Sequence, residues 1–140
     1  MPFGAAMPFW LHSYEGEPIT LPWPNGPQPR RCVMDLIMPL VDEYIVMSYN
    51  TNPENAASRI HEQARYASSL LQSGSIVPRV LGSLETARDV GVNVSYGDTP
   101  DKQSKEAVLK DLNTIECSLE KYPAFSGMAI HHWAAWENLA

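Results

Sequence analysis

The sequence predicts an α/β protein: one domain over residues 1–140, built as half of a (β/α)8 (TIM-like) barrel, with four parallel strands, three covering helices and closure by homodimerisation. Three observations lead there. Stretches of strand length alternate with stretches of helical periodicity in the order strand, helix, strand, helix, strand, helix, strand, the pattern of βαβ units. The strand stretches are apolar on both faces, as in a parallel sheet packed under helices, and lack the alternation of a half-solvated one. The 140 residues also divide into four units of about 35, near the roughly 31 per unit of a barrel of about 250 residues. Right-handed crossovers between sequential strands put all three helices on one side. The other face and both edges then need a cover, and a second copy related by a twofold axis supplies one.

The first strand falls in "GAAMPFWLH", residues 4–12, with Pro8 marking an edge, a bulge or the strand's end. Prolines 18, 22, 24, 27 and 29 follow, and their fixed φ and missing N–H groups make a stiff loop around Trp23. Over residues 30–41, Val33, Met34, Ile37, Met38 and Val41 keep helical spacing, and Pro39 forces a kink or early stop. "EYIVMSYN", 43–50, is β-branched and aromatic-rich, which suits a strand. Asn52 then caps, and Pro53 opens, a helix reaching about Ser73, with Ala56, Ile60, Ala64, Ala67 and Leu71 on one face and Gly74 as its left-handed terminator.

The third strand lies in "SIVPRVLGSLET", 75–86, and "ARDVGVNVSYGD" reads as loop. Thr99-Pro100-Asp101 opens a helix with the stripe Val108, Leu112, Ile115, Leu119, Tyr122, stopped by Pro123. Its acidic residues Glu106, Asp111, Glu116 and Glu120 read as a solvated face. After Gly127, "MAIHHW" forms the last strand.

Composition sets bounds on function. The chain is 44% hydrophobic and 19% charged with a net charge of −6, so no basic groove for nucleic acid is expected. No segment approaches the roughly 20 apolar residues that span a bilayer, and the N-terminus lacks a basic start, so the expected setting is the cytoplasm without a membrane partner. Cys32 and Cys117, 85 positions apart and outside any C-x-x-C or Cys/His spacing, read as ordinary thiols. No phosphate-loop, dinucleotide, nucleophile-elbow or H-E-x-x-H pattern occurs, and no cofactor is expected.

In a barrel, function sits where strands end. Those ends carry Trp10 and His12, Tyr49 and Asn50, Glu85 and Thr86, and His131, His132 and Trp133, with Trp23 and Trp136 on flanking segments. Alternation pairs Met47 with Tyr49, Ser83 with Glu85 and His131 with Trp133 on shared faces, and sends His131 and His132 to opposite ones. A carboxylate among flat rings is the chemistry of a sugar site. Glu85 is thus the candidate catalytic acid or base, with Trp10, His12, Tyr49, Asn50, His131 and Trp133 as candidate ligand contacts. Packing is the competing use for each aromatic residue. A metal-dependent hydrolase assembled from His12, Glu85, His131 and His132 is a further alternative, although no metal-ligand spacing is present.

"DEYIVMSYN" resembles the sixth strand of chitinase-like glycoside hydrolase barrels, whose Met-x-Tyr-Asp/Asn end Met47, Tyr49 and Asn50 match. "RVLGSLET", "GMAIHHWAAWENL" and "GAAMPFWLH" are similar to the seventh, eighth and fifth strands of an uncharacterised bacterial (β/α)8-barrel family distantly like them. The resemblance implies strands five to eight of such a barrel, with the Met-x-Tyr-Asn end contacting sugar and its acetamido group. That family's Asp-x-x-Asp-x-Asp-x-Glu run on strand four has no counterpart in these residues, so the resemblance does not imply its hydrolytic mechanism. Together these readings give a dimeric carbohydrate- or small-molecule-binding module, with a glycoside-hydrolase-like enzyme as the alternative.

Overall fold

A computed structural model describes residues 2–11, 20–21 and 31–140. In chain order it contains β1 (Gly4–Pro8), β2 (Thr20–Leu21), β3 (Arg31–Cys32), α1 (Val33–Ile37) continued by a 3-10 turn (Met38–Leu40), β4 (Glu43–Met47) and α2 (Pro53–Gln72). After these come β5 (Arg79–Glu85), a 3-10 turn (Pro100–Lys102), α3 (Lys105–Leu119), β6 (Phe125–His131) and α4 (Trp133–Glu137). Strands β1, β4, β5 and β6 form one sheet in that spatial order, parallel throughout, while β2 and β3 make a separate two-residue antiparallel pair. The fold is therefore α/β, with a sequentially ordered parallel sheet.

Local chemistry accounts for most boundaries. β1 stops at Pro8, and as an edge strand it can hold a residue that cannot donate on one side. Asn52 Oδ1 accepts the Asn55 N–H at 2.8 Å, and Pro53 takes the first position of α2, where a missing N–H costs nothing. Beyond its last residues Gly74 adopts φ 82°, the left-handed conformation that lets the chain turn away.

Three boundaries differ from the sequence expectation, the first being that β4 ends at Met47 and not at Asn50. Thr99-Pro100-Asp101 makes only the short 3-10 turn, and α3 begins after Ser104, whose hydroxyl accepts the Ala107 N–H at 3.2 Å. The last strand starts at Phe125 and ends at His131, so Trp133 opens α4 instead of closing the strand. Gly127 lies inside β6, where the register slips so that Val80 faces Phe125 while Leu81 faces Gly127. The residue left over is accommodated by a bulge, for which the φ of 120° at Gly127 is suited.

The core lies on one face. Tyr44 and Val46 of β4 with Val80 and Leu84 of β5 are fully buried against Ala56, Ile60, Ala64 and Ala67 of α2 and Val108, Ile115 and Leu119 of α3, and Met34 and Met38 join the same cluster. The small residues of α2 let it approach closely. Where it crosses β5, a Cβ on Gly82 would overlap Ile60 Cδ1 and stand 2.6 Å from Met128 Sδ. By alternation and register, Ile45 and Met47, Leu81, Ser83 and Glu85, and Ala129 and His131 fall on the opposite face. None of helices α1 to α3 covers it. No described helix is long and apolar enough to cross a membrane.

Candidate functional site

The carboxyl ends of β4, β5 and β6 bring Tyr49, Glu85 and His131 together. Glu85 ends β5 on the face away from the helices and is only 4% exposed. A buried carboxylate must be fully bonded. One oxygen, Oε1, accepts the N–H groups of Thr86 at 2.9 Å and Ala87 at 2.8 Å. The other, Oε2, lies 2.6 Å from His131 Nδ1 on the neighbouring strand, where the register places His131 directly beside Glu85. A carboxylate accepting from Nδ1–H leaves the lone pair on Nε2, at the far side of the ring. The His131 side chain is 56% exposed, so this outer nitrogen belongs to the accessible part of the pair.

Tyr49 stacks on the His131 ring, with centroids 5.9 Å apart and planes 24° from parallel. Burial raises the Tyr49 phenol above its ordinary pKa, and the nearby Glu85 charge adds to that, partly offset by a hydrogen bond with Ser83. Its backbone is pinned by Arg59, whose Nη1 donates to the Tyr49 carbonyl at 2.6 Å. Thr86 fixes the other side, with its Oγ1 3.0 Å from the His131 carbonyl and 3.2 Å from that of His132. The peptide joining the two histidines is cis, and their rings meet edge to face at 5.7 Å.

The remaining expected contacts are placed differently. Asn50 Oδ1 accepts the Asn52 N–H at 2.9 Å and so serves the turn into α2. Trp10 is 43% exposed in the turn after β1, beside a groove that it shares with Tyr49. Trp133, at the head of α4, is 65% exposed, and the pairing with His131 expected from strand alternation is lost because the strand ends first. His12 and Trp23 lie outside the described residues. Among the described residues no three His, Cys, Asp or Glu side chains converge to hold a metal ion.

Two residues were missed. Arg59 borders the site from the second turn of α2, and its only sequence signal is its place at the margin of that helix's apolar stripe. Asp111 belongs to the interior and not to a solvated face: it is 4% exposed and its Oδ2 accepts from Tyr96 Oη at 2.9 Å and Lys102 Nζ at 2.6 Å. Burial pushes the Tyr96 phenol far above its ordinary pKa, and the Asp111 charge and hydrogen bond act the same way. These contacts tie the loop between β5 and α3 to the protein, and that loop supports the site. The Tyr96 N–H donates to the Glu85 carbonyl at 2.9 Å, with the Ser95 hydroxyl donating to the same oxygen at 3.3 Å.

Fold and site together define a parallel α/β protein with a carboxylate–imidazole pair and a stacked tyrosine at the carboxyl edge of its sheet. Set against protein-family models, curated proteins and solved structures, the chain matches none.

Proposed function

We propose that the chain corresponds to strands five to eight of a (β/α)8 barrel related to the chitinase-like hydrolases, that a second copy completes it, and that it binds a carbohydrate or other small organic molecule at the strand ends. The observation carrying this reading is the Tyr49–His131 platform held from behind by Glu85. Flat rings cover the apolar face of a sugar, and an oriented imidazole hydrogen-bonds its hydroxyls. The sequential parallel sheet with its helices on one face supports the barrel reading. Apolar Ile45, Met47, Leu81 and Ala129 on the other face support a cover supplied by a second copy.

Titration of the 15N-labelled protein with N-acetylhexosamine and neutral hexose oligosaccharides tests the ligand. Shift changes confined to residues around Tyr49, Glu85 and His131, and abolished by His131→Ala, are expected. No response to any saccharide rejects carbohydrate as the ligand class. Light scattering at micromolar concentration tests the assembly, and a stable monomer rejects closure by a second copy.

Hydrolysis is the second reading, favoured by the exposed half of His131. Both oxygens of Glu85 are already engaged, so in this reading the Nε2 lone pair of His131 takes up and returns the proton and Glu85 is a positioning residue. Turnover of chromogenic glycosides that is lost in both His131→Ala and Glu85→Gln is the expected result, and turnover unaffected by either rejects it. A metal-dependent hydrolase has no supporting ligand set among the described residues.

A further inference from the structure

On the far side of Tyr49 from the carboxylate–imidazole pair lies a groove of about 430 Å³. Phe9, Trp10, Met47 and Val94 form its apolar walls, and Tyr49 and Arg59 supply its polar groups. A cavity of this size suits a small organic ligand, with apolar walls for its body and few polar groups to orient it.

Arg59 is the unusual member. Its guanidinium carbon lies 4.1 Å from the centroid of the Phe9 ring, and among the described residues one of its five N–H donors is used, by Nη1 on the Tyr49 carbonyl. Burial lowers its pKa, the mark of a cation taken partly out of water. Elsewhere Arg65 meets Glu62, Arg79 meets Glu43 and Lys102 meets Asp111. Arg59 has no carboxylate partner among the described residues. A half-desolvated guanidinium with donors to spare, opening onto aromatic and thioether walls, is complementary to an anion with a flat apolar body.

We propose that this groove binds a small aryl carboxylate, with the carboxylate on the Arg59 guanidinium and the ring held among Trp10, Met47 and Phe9. The ligand's position beside Tyr49 extends the strand-end site toward β1, away from His131. The proposal rests on the strand ends being a ligand site and does not require that ligand to be a saccharide. The apolar walls offer a sugar few partners for its hydroxyls, whereas one strong cation matches one carboxylate.

The test compares phenylacetate with phenylacetamide, equal in shape and differing in charge, by calorimetry or 15N NMR on the intact protein. Phenylacetate is expected to bind at least about tenfold more tightly, the scale of a charge-assisted hydrogen bond in a partly buried site. Arg59→Gln should remove that preference, and Val94→Trp should block both compounds by filling the groove. Equal affinity for acid and amide, or no binding of phenylacetate at millimolar concentration, overturns the proposal. If Arg59→Gln fails to fold, the acid and amide comparison on the unaltered protein still decides. Saccharide binding without phenylacetate binding rejects this proposal alone, and loss of both rejects the strand-end site as well.

Discussion

Replacing Glu85 by glutamine keeps the shape of the site and changes its proton arrangement. The amide oxygen can take over the Thr86 and Ala87 N–H groups now bonded to Oε1. The amide nitrogen then faces His131 Nδ1 and donates to it, so the imidazole proton moves to Nε2 and the outward nitrogen becomes a donor. A hydrogen bond to a charged group contributes about 1.5–3 kcal/mol, and the exposure of His131 reduces this through solvent screening to about 1 kcal/mol. For a domain of this size that is a fall of about 3–5 °C in Tm. Glu85→Ala should cost more, about 2–4 kcal/mol, because it also leaves two N–H groups without their acceptor beside a new cavity. The assay is paired: thermal unfolding for the energies, and 15N shifts of the imidazole nitrogens for the tautomer. An unchanged His131 tautomer in Glu85→Gln, or equal losses in the two variants, refutes the carboxylate–imidazole pair as the organiser of the site.

Three other perturbations bear on the scaffold. Asp111→Ala strips Tyr96 and Lys102 of their shared acceptor and should cost about 3 kcal/mol in urea unfolding, the low end for a buried pair because Lys102 is partly solvated; a loss below about 1 kcal/mol contradicts the clamp. The raised Tyr96 phenol makes the unfolded state lose its proton first, so its stabilisation is complete below pH 10 and declines by about 1.4 kcal/mol per pH unit above it. Tyr96→Phe should flatten that alkaline decline in urea unfolding between about pH 9 and pH 11, and an unchanged slope disproves the assignment. Gly82→Ala should destabilise by about 1–3 kcal/mol through overlap with Ile60, and Ile60→Val in the same chain should recover part of it, which a double-mutant cycle measures.

Periodicity made the scaffold legible because burial and backbone hydrogen bonding repeat along it. The stripe of α2 from Ala56 to Ala67 and its Asn52-Pro53 start follow from period and capping chemistry, as does the short strand ahead of them, whereas Leu71, the last member of the expected stripe, is exposed in the final turn. Glu85 stood out for a different reason: a charge that finishes an apolar strand must be bonded to something. Its partner His131 was named but was paired with Trp133, since alternation cannot show that the strand gives way to a helix one residue after it. Asp111 was misread because its charge outweighed its spacing: three residues after Val108 and four before Ile115 it falls on the buried stripe of α3, while the phenol and ammonium that satisfy it there come from a loop with no periodicity. Arg59 was missed because a lone cation at the margin of a helix stripe looks like any solvated residue until its neighbours are known.

The placement of Asp111 has a consequence for the site that its distance conceals. The loop between β5 and α3 reaches Glu85 through Ser95 and Tyr96, both bonded to the Glu85 carbonyl, and reaches α3 through the Tyr96 phenol on Asp111. Glu85 is thus gripped at its backbone by a loop whose tether is the buried Tyr96–Asp111 hydrogen bond, and at its side chain by His131 and two N–H groups. Geometry at a strand end needs such redundancy, because the terminal residue has given up ladder bonds that hold its predecessors. The loop's second anchor, Asp98 accepting the N–H groups of Asp89, Val90 and Gly91, closes the loop upon itself and does not touch α3. Loosening Asp111 should therefore disturb the Glu85–His131 pair, whereas loosening Asp98 should alter the loop and leave the pair's hydrogen bond in place.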